Sequence, residues 1–276
     1  MRSSQTPTET NQEFNLVSSE EAPKGPVLLI EKQEAHDQFH RNNPNQLTVL
    51  LRLSAVRTLV RMGETAESWF DEDVTVISTT TINDEILSDL DWEKEFELVQ
   101  KFKPDIHIPC DYPVYKQDGQ IRRLTHVIKC LKGTIWMAEK LHGGKTKILP
   151  LIKGETPQER QLCYRVFDYL GVEYCAFYGT QYFTAGIGYY QLLGDLRTVI
   201  SEAPQLQIML IGLQAPHRLE ELPPQVEAAA GQRWIDEVQL REVPWSESKR
   251  LYKTMKPHFR DPGSPPAAFF DATVNF

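Results

Sequence analysis

Pro104-Asp-Ile-His-Ile-Pro-Cys-Asp111-Tyr-Pro-Val-Tyr115 is the stretch whose reading decides the fold. An apolar run of strand length stops abruptly at a carboxylate, two aromatics and a proline, as a buried strand does when its last residues open into a site. The same grammar recurs further on, in Ile148-Leu-Pro-Leu-Ile-Lys153-Gly, Tyr174-Cys-Ala-Phe-Tyr178-Gly-Thr-Gln181, Ile208-Met-Leu-Ile-Gly212-Leu-Gln214 and Trp234-Ile-Asp236-Glu237. Each is a short apolar run that ends in polar groups or glycine, with helix-like sequence between most of them. A βα series of this kind predicts an α/β fold, an irregular (β/α)8 TIM barrel. In such a barrel the strand-end residues Asp111, Lys153, Gly179, Gln181, Gly212, Gln214 and Asp236 gather on one face.

A chain of 276 residues accommodates one such barrel, which takes roughly 250 residues. Hydrophobic content of 41% and charged content of 25% suit a globular protein with a sizeable core and name no function. The net charge of −8 argues against a surface coated with nucleic acid and leaves room for a local basic patch. Cys110, Cys130, Cys163 and Cys175 form no Cys-x-x-Cys pair, and there is no leading hydrophobic segment of signal type, so reduced thiols in a cytoplasmic protein are expected. No apolar run approaches the roughly 20 residues of a membrane span, so no integral membrane protein is expected.

Residues 1 to about 25 are rich in Ser, Thr, Glu, Gln and Pro. They bury too little to offset ordering entropy and are expected to form a disordered tail ahead of a single domain over 26–276. Val27-Leu-Leu-Ile30 reads as the first strand. Leu47-Thr-Val-Leu-Leu-Arg-Leu53 reads as a second strand or as the start of a helix reaching Met62, and periodicity leaves both open. The β-branched run Val74-Thr-Val-Ile-Ser-Thr-Thr-Thr-Ile82 predicts a strand, followed by a helix over 91–102 with Phe96, Leu98, Val99 and Phe102 as core contacts. Leu124, Val127, Ile128, Leu131 and Ile135 keep to one helical face as far as the Gly143-Gly144 stop. Thr156-Pro-Gln-Glu159 is a capping box with proline at the first helical position, and Gly171 is that helix's left-handed stop. Further helices are expected over 188–201 and 246–256, and a strand over 206–213. Residues 216–230, interrupted by Pro223 and Pro224, predict two short helices, the second starting near Pro224. Pro109 and Pro150 sit inside runs read as central strands and count against them.

A strand-end carboxylate is ordinarily a helix cap or a surface charge. What sets Asp111 and Asp236 apart is an ordered set of blocks. These are Asp111-Tyr-Pro-Val-Tyr; Leu149-Pro-Leu-Ile-Lys-Gly154 followed by Thr156-Pro-Gln-Glu-Arg160; Ala176-Phe-Tyr-Gly179; and Leu210-Ile-Gly-Leu-Gln-Ala-Pro-His-Arg-Leu219 leading to Ala229-Ala-Gly-Gln-Arg-Trp-Ile-Asp236. Together they resemble the tRNA-guanine transglycosylase superfamily, and within it most of all the DNA-modifying branch, the deoxypurine-in-DNA protein A family. The resemblance spans about residues 74–238. It implies a (β/α)8 barrel that exchanges a guanine already in a nucleic acid for a 7-deazapurine, of the 7-cyano-7-deazaguanine type, without cutting the strand. It further implies Asp236 as the nucleophile at the sugar C1′ and Asp111 as acceptor for the donor edge of the purine. On the same resemblance Gly179 is expected to let the base approach the backbone, and Gly212 is expected in the base-binding set. Carboxylates suit this work, because displacing a base passes through an oxocarbenium-like centre that a nearby anion stabilises and captures.

Two departures from that pattern matter. The tRNA enzymes carry an Asp-Ser-Gly-Gly-Phe-Gln block whose aspartate handles the proton, whereas the stretch here is Ile77-Ser-Thr-Thr-Thr-Ile82. Asp84 and Asp89 are the substitutes within reach, set against their reading as acids at a helix start. The Cys-x-Cys-x-x-Cys zinc cluster has no counterpart, so neither zinc nor another cofactor is expected. Where many relatives have Val-Gln-Gly this chain has Ile152-Lys153-Gly154, which makes Lys153 a contact for a purine oxygen or a phosphate, or a solvated strand-end lysine.

A base inside a duplex must be extruded before C1′ chemistry. Lys249, Arg250, Lys253, Lys256 and Arg260, with Tyr252 and Phe259 for stacking, form the candidate nucleic-acid surface, and Arg122 and Arg123 a secondary one. Phe177, Tyr178, Tyr182 and Phe183 are placed to sandwich a base, although core packing accounts for at least two of them. The expected partners are DNA, or tRNA as the alternative acceptor, and a free 7-deazapurine base; a separate ATPase or DNA-opening protein stays open. A catalytically silent nucleic-acid-binding subunit is the reading from a different class.

Overall fold

The computed structural model describes residues 14–81, 87, 90–184, 188–213, 215–219 and 221–255. In its first half the elements are β1 (Gly25–Ile30), α1 (Glu34–His40), β2 (Leu47–Arg52), α2 (Leu53–Arg61), α3 (Ala66–Trp69), β3 (Val74–Thr79), α4 (Trp92–Phe102), β4 (Ile106–Ile108) and α5 (Gln120–Lys140). The second half holds β5 (Lys147–Ile148), β6 (Leu151–Ile152), α6 (Pro157–Leu170), β7 (Tyr174–Tyr178), α7 (Thr180–Thr184), α8 (Tyr189–Glu202), β8 (Gln207–Ile211), α9 (Pro216–Leu219), β9 (Val226–Gly231), α10 (Trp234–Glu237) and α11 (Trp245–Met255). Among the described residues no helix is long and apolar enough to cross a membrane.

The nine strands pair in the order β5-β4-β3-β2-β1-β9-β8-β7-β6, every pair parallel. β5 and β6 stand at opposite ends of that order, yet they are the two halves of one run, residues 147–152. The nine strands are therefore eight staves, and the sheet curls until its ends meet in that run. Leu149 N–H donates to His107 O on the β4 side (2.9 Å), and Ala176 N–H of β7 donates to Pro150 O (2.8 Å). The fold is thus the irregular (β/α) barrel expected. Both prolines that spoke against central strands prove to sit at breaks: Pro109 follows the last residue of β4, and Pro150 occupies the switch between partners, where its missing N–H costs no ladder bond.

Below that switch, the side of β5 turned away from β4 is taken by the N-terminal segment. Ile148 N–H donates to Asn15 O (2.8 Å) and Val17 N–H to Ile148 O (3.0 Å). The Asn15 amide donates to the carbonyls of Gly144 and Thr146, both at 2.8 Å. Val17 and Ala22 are buried in the barrel interior with Val27, Leu29 and Tyr174, and the Tyr174 hydroxyl donates to Pro23 O (2.6 Å). The disordered tail expected to about residue 25 is corrected from residue 14 onward; residues 1–13 lie outside the described residues. The polar composition of 14–24 concealed a segment whose few apolar side chains complete the barrel floor.

Alternation along the strands divides the core. Val27, Leu29, Leu50 and Ile77 fill the interior, while Leu28, Val49, Leu51 and Val76 pack outward. The open choice at 47–53 resolves as both readings, with β2 passing directly into α2 at Leu53. α6 is capped as the sequence indicates, by Thr156 and Glu159 reciprocally and by Gly171 in the left-handed region. Two expectations fail together. Residues 226–231 are the strand β9 rather than a second helix, and Trp234–Glu237 is a helical turn rather than a strand end. Alanine favours a helix in isolation, but Ala228, Ala229 and Ala230 are fully buried between β1 and β8, where pairing on both sides outweighs a propensity of a few tenths of a kcal/mol per residue.

Outside the barrel wall, α1 buries two histidines. His36 lies under the Trp234 ring with centroids 5.2 Å apart, and His40 under Phe70 at 4.5 Å. Burial holds the His40 pKa down at about 4 from 6.5, against the opposing pull of Asp37. The unfolded chain binds a proton near pH 6.5 that the folded chain refuses until about pH 4, so stability is full above 6.5 and drains away as pH falls towards 4. The expected loss is about 3 kcal/mol, read as a fall in the urea midpoint between pH 7 and pH 4.5. His40→Leu should flatten that limb of the curve, and an unchanged limb would remove His40 as its source.

Candidate active site at the mouth of the barrel

At the carboxyl end of β4 the chain turns through Cys110, a non-glycine residue with φ of 54°, a conformation costing of order 1 kcal/mol that must be held by its surroundings. Three groups hold it. Glu95 of α4 is buried, and its Oε1 accepts from Cys110 N–H (2.9 Å) and lies 2.8 Å from His107 Nε2. His107 Nδ1 in turn lies 2.7 Å from Ser78 Oγ on β3. Thr80, just past β3, accepts from Asp111 N–H at 2.9 Å while its own hydroxyl donates to Ile108 O at 3.2 Å. α5 approaches closely because Gly133 has no side chain; a Cβ there would stand 2.6 Å from Cys110 Sγ. This buried Ser78–His107–Glu95 chain sits on the outer side of the barrel wall and fixes the turn that presents Asp111.

Asp111 meets Lys153, the residue that follows β6. Lys153 Nζ contacts Asp111 Oδ1 with side chains only 9% and 7% exposed. Burial alone would lower the lysine pKa; Asp111 overrides it and holds the pKa above the ordinary value, so Lys153 is a charged ammonium. Beside it opens a recess lined by Lys153, Glu155, Arg160, Phe177, Tyr182 and Asp195, with about 50 Å³ of free space. A cavity of about 150 Å³ admits benzene, so this one takes a few waters or the edge of a larger ring. Phe177 and Tyr182 stack on one another at 6.3 Å, the Tyr182 hydroxyl and the Gln191 amide both donate to Asp195 (2.7 and 2.8 Å), and Arg160 forks onto Glu202 with two bonds of 2.7 Å.

The remaining sequence candidates divide. Gly179 and Gly212 lie together where β7 and β8 end, and both N–H groups are engaged in the barrel, Gly179 with Ile211 O and Gly212 with Ala230 O, each at 2.7 Å. A Cβ on Gly212 would strike Thr180 Oγ1 at 2.2 Å, so this glycine is required by the close approach of the two strand ends. Asp236 lies one turn beyond β9, at the same end of the barrel, but it does not line the recess. Its side chain is 64% exposed and accepts from Arg233 Nη1 (2.8 Å). Scanned against protein-family models and against curated proteins, the sequence matches none.

The candidate nucleic-acid helix is partly occupied with holding the fold. Lys249 donates to the carbonyls of Arg41 and Asn42 (2.6 and 3.2 Å), Arg250 forks onto Glu247 (2.8 and 2.5 Å), and Lys253 is exposed. Tyr252 is 1% exposed and packs on Phe39, so it cannot stack a base from solvent. Arg123 is likewise internal: it is 13% exposed and its Nε donates to Glu159 at 2.9 Å, whereas Arg122 is exposed beside Asp118. Lys256, Arg260, Phe259, Asp84, Asp89 and Gln214 lie outside the described residues. Among the described residues no group of three or more His, Cys, Asp and Glu is arranged to hold a metal ion, and the four cysteines are buried and unbridged.

Sequence reasoning missed Thr80, Glu95, His107, Glu155 and Asp195. A signal existed for Glu95, which shares a helical face with Val99 and Phe102 at i+4 and i+7 and so marks a carboxylate turned inward. Glu155 and Asp195 carry no such mark, because nothing local says that a loop residue and a mid-helix residue 40 positions apart border one hollow.

Proposed function

We propose that this chain exchanges a purine base in a nucleic acid, guanine in DNA for a 7-deazaguanine of the 7-cyano type, through a covalent bond between Asp236 and the sugar C1′. The observation that carries the reading is the buried Asp111–Lys153 pair at the barrel mouth beside an aromatic-walled recess. A carboxylate and an ammonium side by side match the two edges of guanine, the carboxylate accepting from the ring N–H and exocyclic amine and the ammonium donating to the carbonyl oxygen. Charge-assisted bonds of this kind in a poorly hydrated site are the strong ones. Asp236 supplies the anion that captures the oxocarbenium-like carbon. Its exposed pair with Arg233 is worth only about 0.5 kcal/mol, so the carboxylate stays available to an extruded nucleotide.

A second reading, a nucleic-acid-binding subunit without chemistry, is favoured by one fact: Asp236 does not line the recess that Lys153 lines. Incubation of the folded protein with labelled 7-deazaguanine base and either DNA or tRNA separates the readings. Incorporation into DNA is expected, falling by about 10³-fold or more in Asp236→Ala, as removal of a covalent nucleophile does. Incorporation into tRNA instead would reassign the acceptor. Binding of DNA with no incorporation into either acceptor would leave the silent subunit as the reading.

A further inference from the structure

We propose that Glu155 is the group that gives and takes back the proton of the exchange reaction, with Asp195 as the fixed anion across the recess from it. This rests on the base-exchange reading and deepens it. The acids nearest Glu155 are engaged: Asp111 has Lys153, Glu159 has Arg123, and Asp195 has Tyr182 and Gln191, while further round the mouth Asp236 has Arg233 and Glu31 has Arg52 and Gln232. Glu155 lines the recess two residues from Lys153, half-buried, and among the described residues its carboxyl has neither a hydrogen-bond nor an ion-pair partner. Its carboxyl is thus unengaged by the neighbouring side chains and open to whatever enters the recess.

Local structure sets that placement. Gly154, with φ of 122°, turns the chain so tightly on α6 that a Cβ would stand 2.8 Å from Glu159 Cβ and 2.9 Å from Arg160 N. The N–H of Glu155 donates to Glu159 Oε2 at 2.8 Å, which holds the backbone and leaves the side chain to the recess. The charges that act on it most are Asp195 on α8, Glu159 on α6, Lys116 in the loop after β4 and Arg123 on α5, and Lys153 and Arg160, each held by its own carboxylate, share the recess lining. Burial first, then the two acids, push its carboxyl above the ordinary range, while Lys116 and Arg123 pull the other way. Glu155 therefore keeps its proton to higher pH than a solvated glutamate.

The bond between C1′ and the purine N9 breaks with its electron pair going to the base; the bond from Asp236 Oδ to C1′ forms; the Glu155 proton goes to a ring nitrogen of the departing base, leaving a carboxylate. In the second half, N9 of the incoming base attacks C1′, Asp236 departs as carboxylate, and the N9 proton returns to Glu155. No other reactant is needed.

Glu155→Gln tests this, because an amide donates a hydrogen bond but cannot transfer the proton. Incorporation of labelled base into guanine-containing DNA is expected to fall by about 10²–10⁴-fold, the usual worth of a general acid, with binding of the free base changed less than threefold by calorimetry. DNA carrying 7-methylguanine supplies the decisive arm: that base leaves as a neutral molecule without any added proton, so Glu155→Gln should release it at near the wild-type rate. Equal losses on both substrates, or guanine exchange within threefold of wild type, would overturn the assignment. If glutamine disturbs the turn, as a melting curve would reveal, Glu155→Ala with added formate replaces it, and failure of formate to restore any rate also overturns the assignment. A wild type inert on both DNAs would overturn the base-exchange reading itself, and this assignment with it.

Discussion

Asp111→Ala is expected to lower the unfolding free energy by about 3–5 kcal/mol, the usual result of removing one member of a buried ion pair. The loss comes from the charge left behind. Lys153 is 9% exposed and owes its raised pKa to Asp111; without that carboxylate, burial decides and the ammonium has to shed its proton or draw in water. Asp111→Asn combined with Lys153→Met should recover most of the stability, since a neutral replacement of both partners is often close to neutral in energy. It should not recover base binding, because neither edge of the purine then meets a charge. Urea unfolding of the three proteins, with calorimetry of free 7-deazaguanine binding, checks both halves. A single variant within about 1 kcal/mol of wild type would mean that water already reaches the pair.

Trp234→Ala carries an effect of similar size for a different reason. The indole is fully buried, with its ring 4.9 Å from Phe39 and 5.2 Å from His36, and its N–H donates to Leu29 O (3.3 Å). Truncating such a side chain costs about 3–5 kcal/mol, or a fall of roughly 10 °C in melting temperature for a chain of this size. The functional consequence is more specific. α10 spans only Trp234–Glu237, far too short to hold together unaided, so the indole is what keeps Asp236 in place. Base exchange should fall well beyond what the population of folded protein explains, while binding of free base at Asp111 and Lys153, which belong to other elements, stays within a few-fold. Loss of both in equal measure would show that the mouth moves as one piece.

Much of this was legible in the sequence, and the reasons differ from element to element. Strand ends in a parallel barrel are punctuated, and punctuation survives in one dimension: Asp111, Lys153, Gly179 and Gly212 were all found as the stops of apolar runs. Helix α6 was readable because its capping groups lie three residues apart and act on one another without the rest of the protein. β9 was not, because three alanines say nothing about whether a neighbour waits on each side. Nor was the barrel floor, where Val17 and Ala22 are single apolar residues in a polar stretch and count only because Ile148 and Tyr174 lie close by. The chain Ser78–His107–Glu95 was hidden for a related reason: each member is unremarkable alone, and the distances of 2.7 and 2.8 Å exist only after folding.

The run 147–152 joins the two ends of the sheet. It is laced by main-chain bonds to the fourth stave up to Leu149 and to β7 from Pro150 onward, and where the first lacing stops, Lys153 reaches across to Asp111. At that point the wall is fastened by an electrostatic clasp in place of a zip. A zip must unravel bond by bond, whereas a clasp is released by any solute that offers its own charge or dipole to the two halves. The weakest line of the wall thus coincides with the residues that would greet a guest, and admitting one there leaves the backbone of the barrel intact.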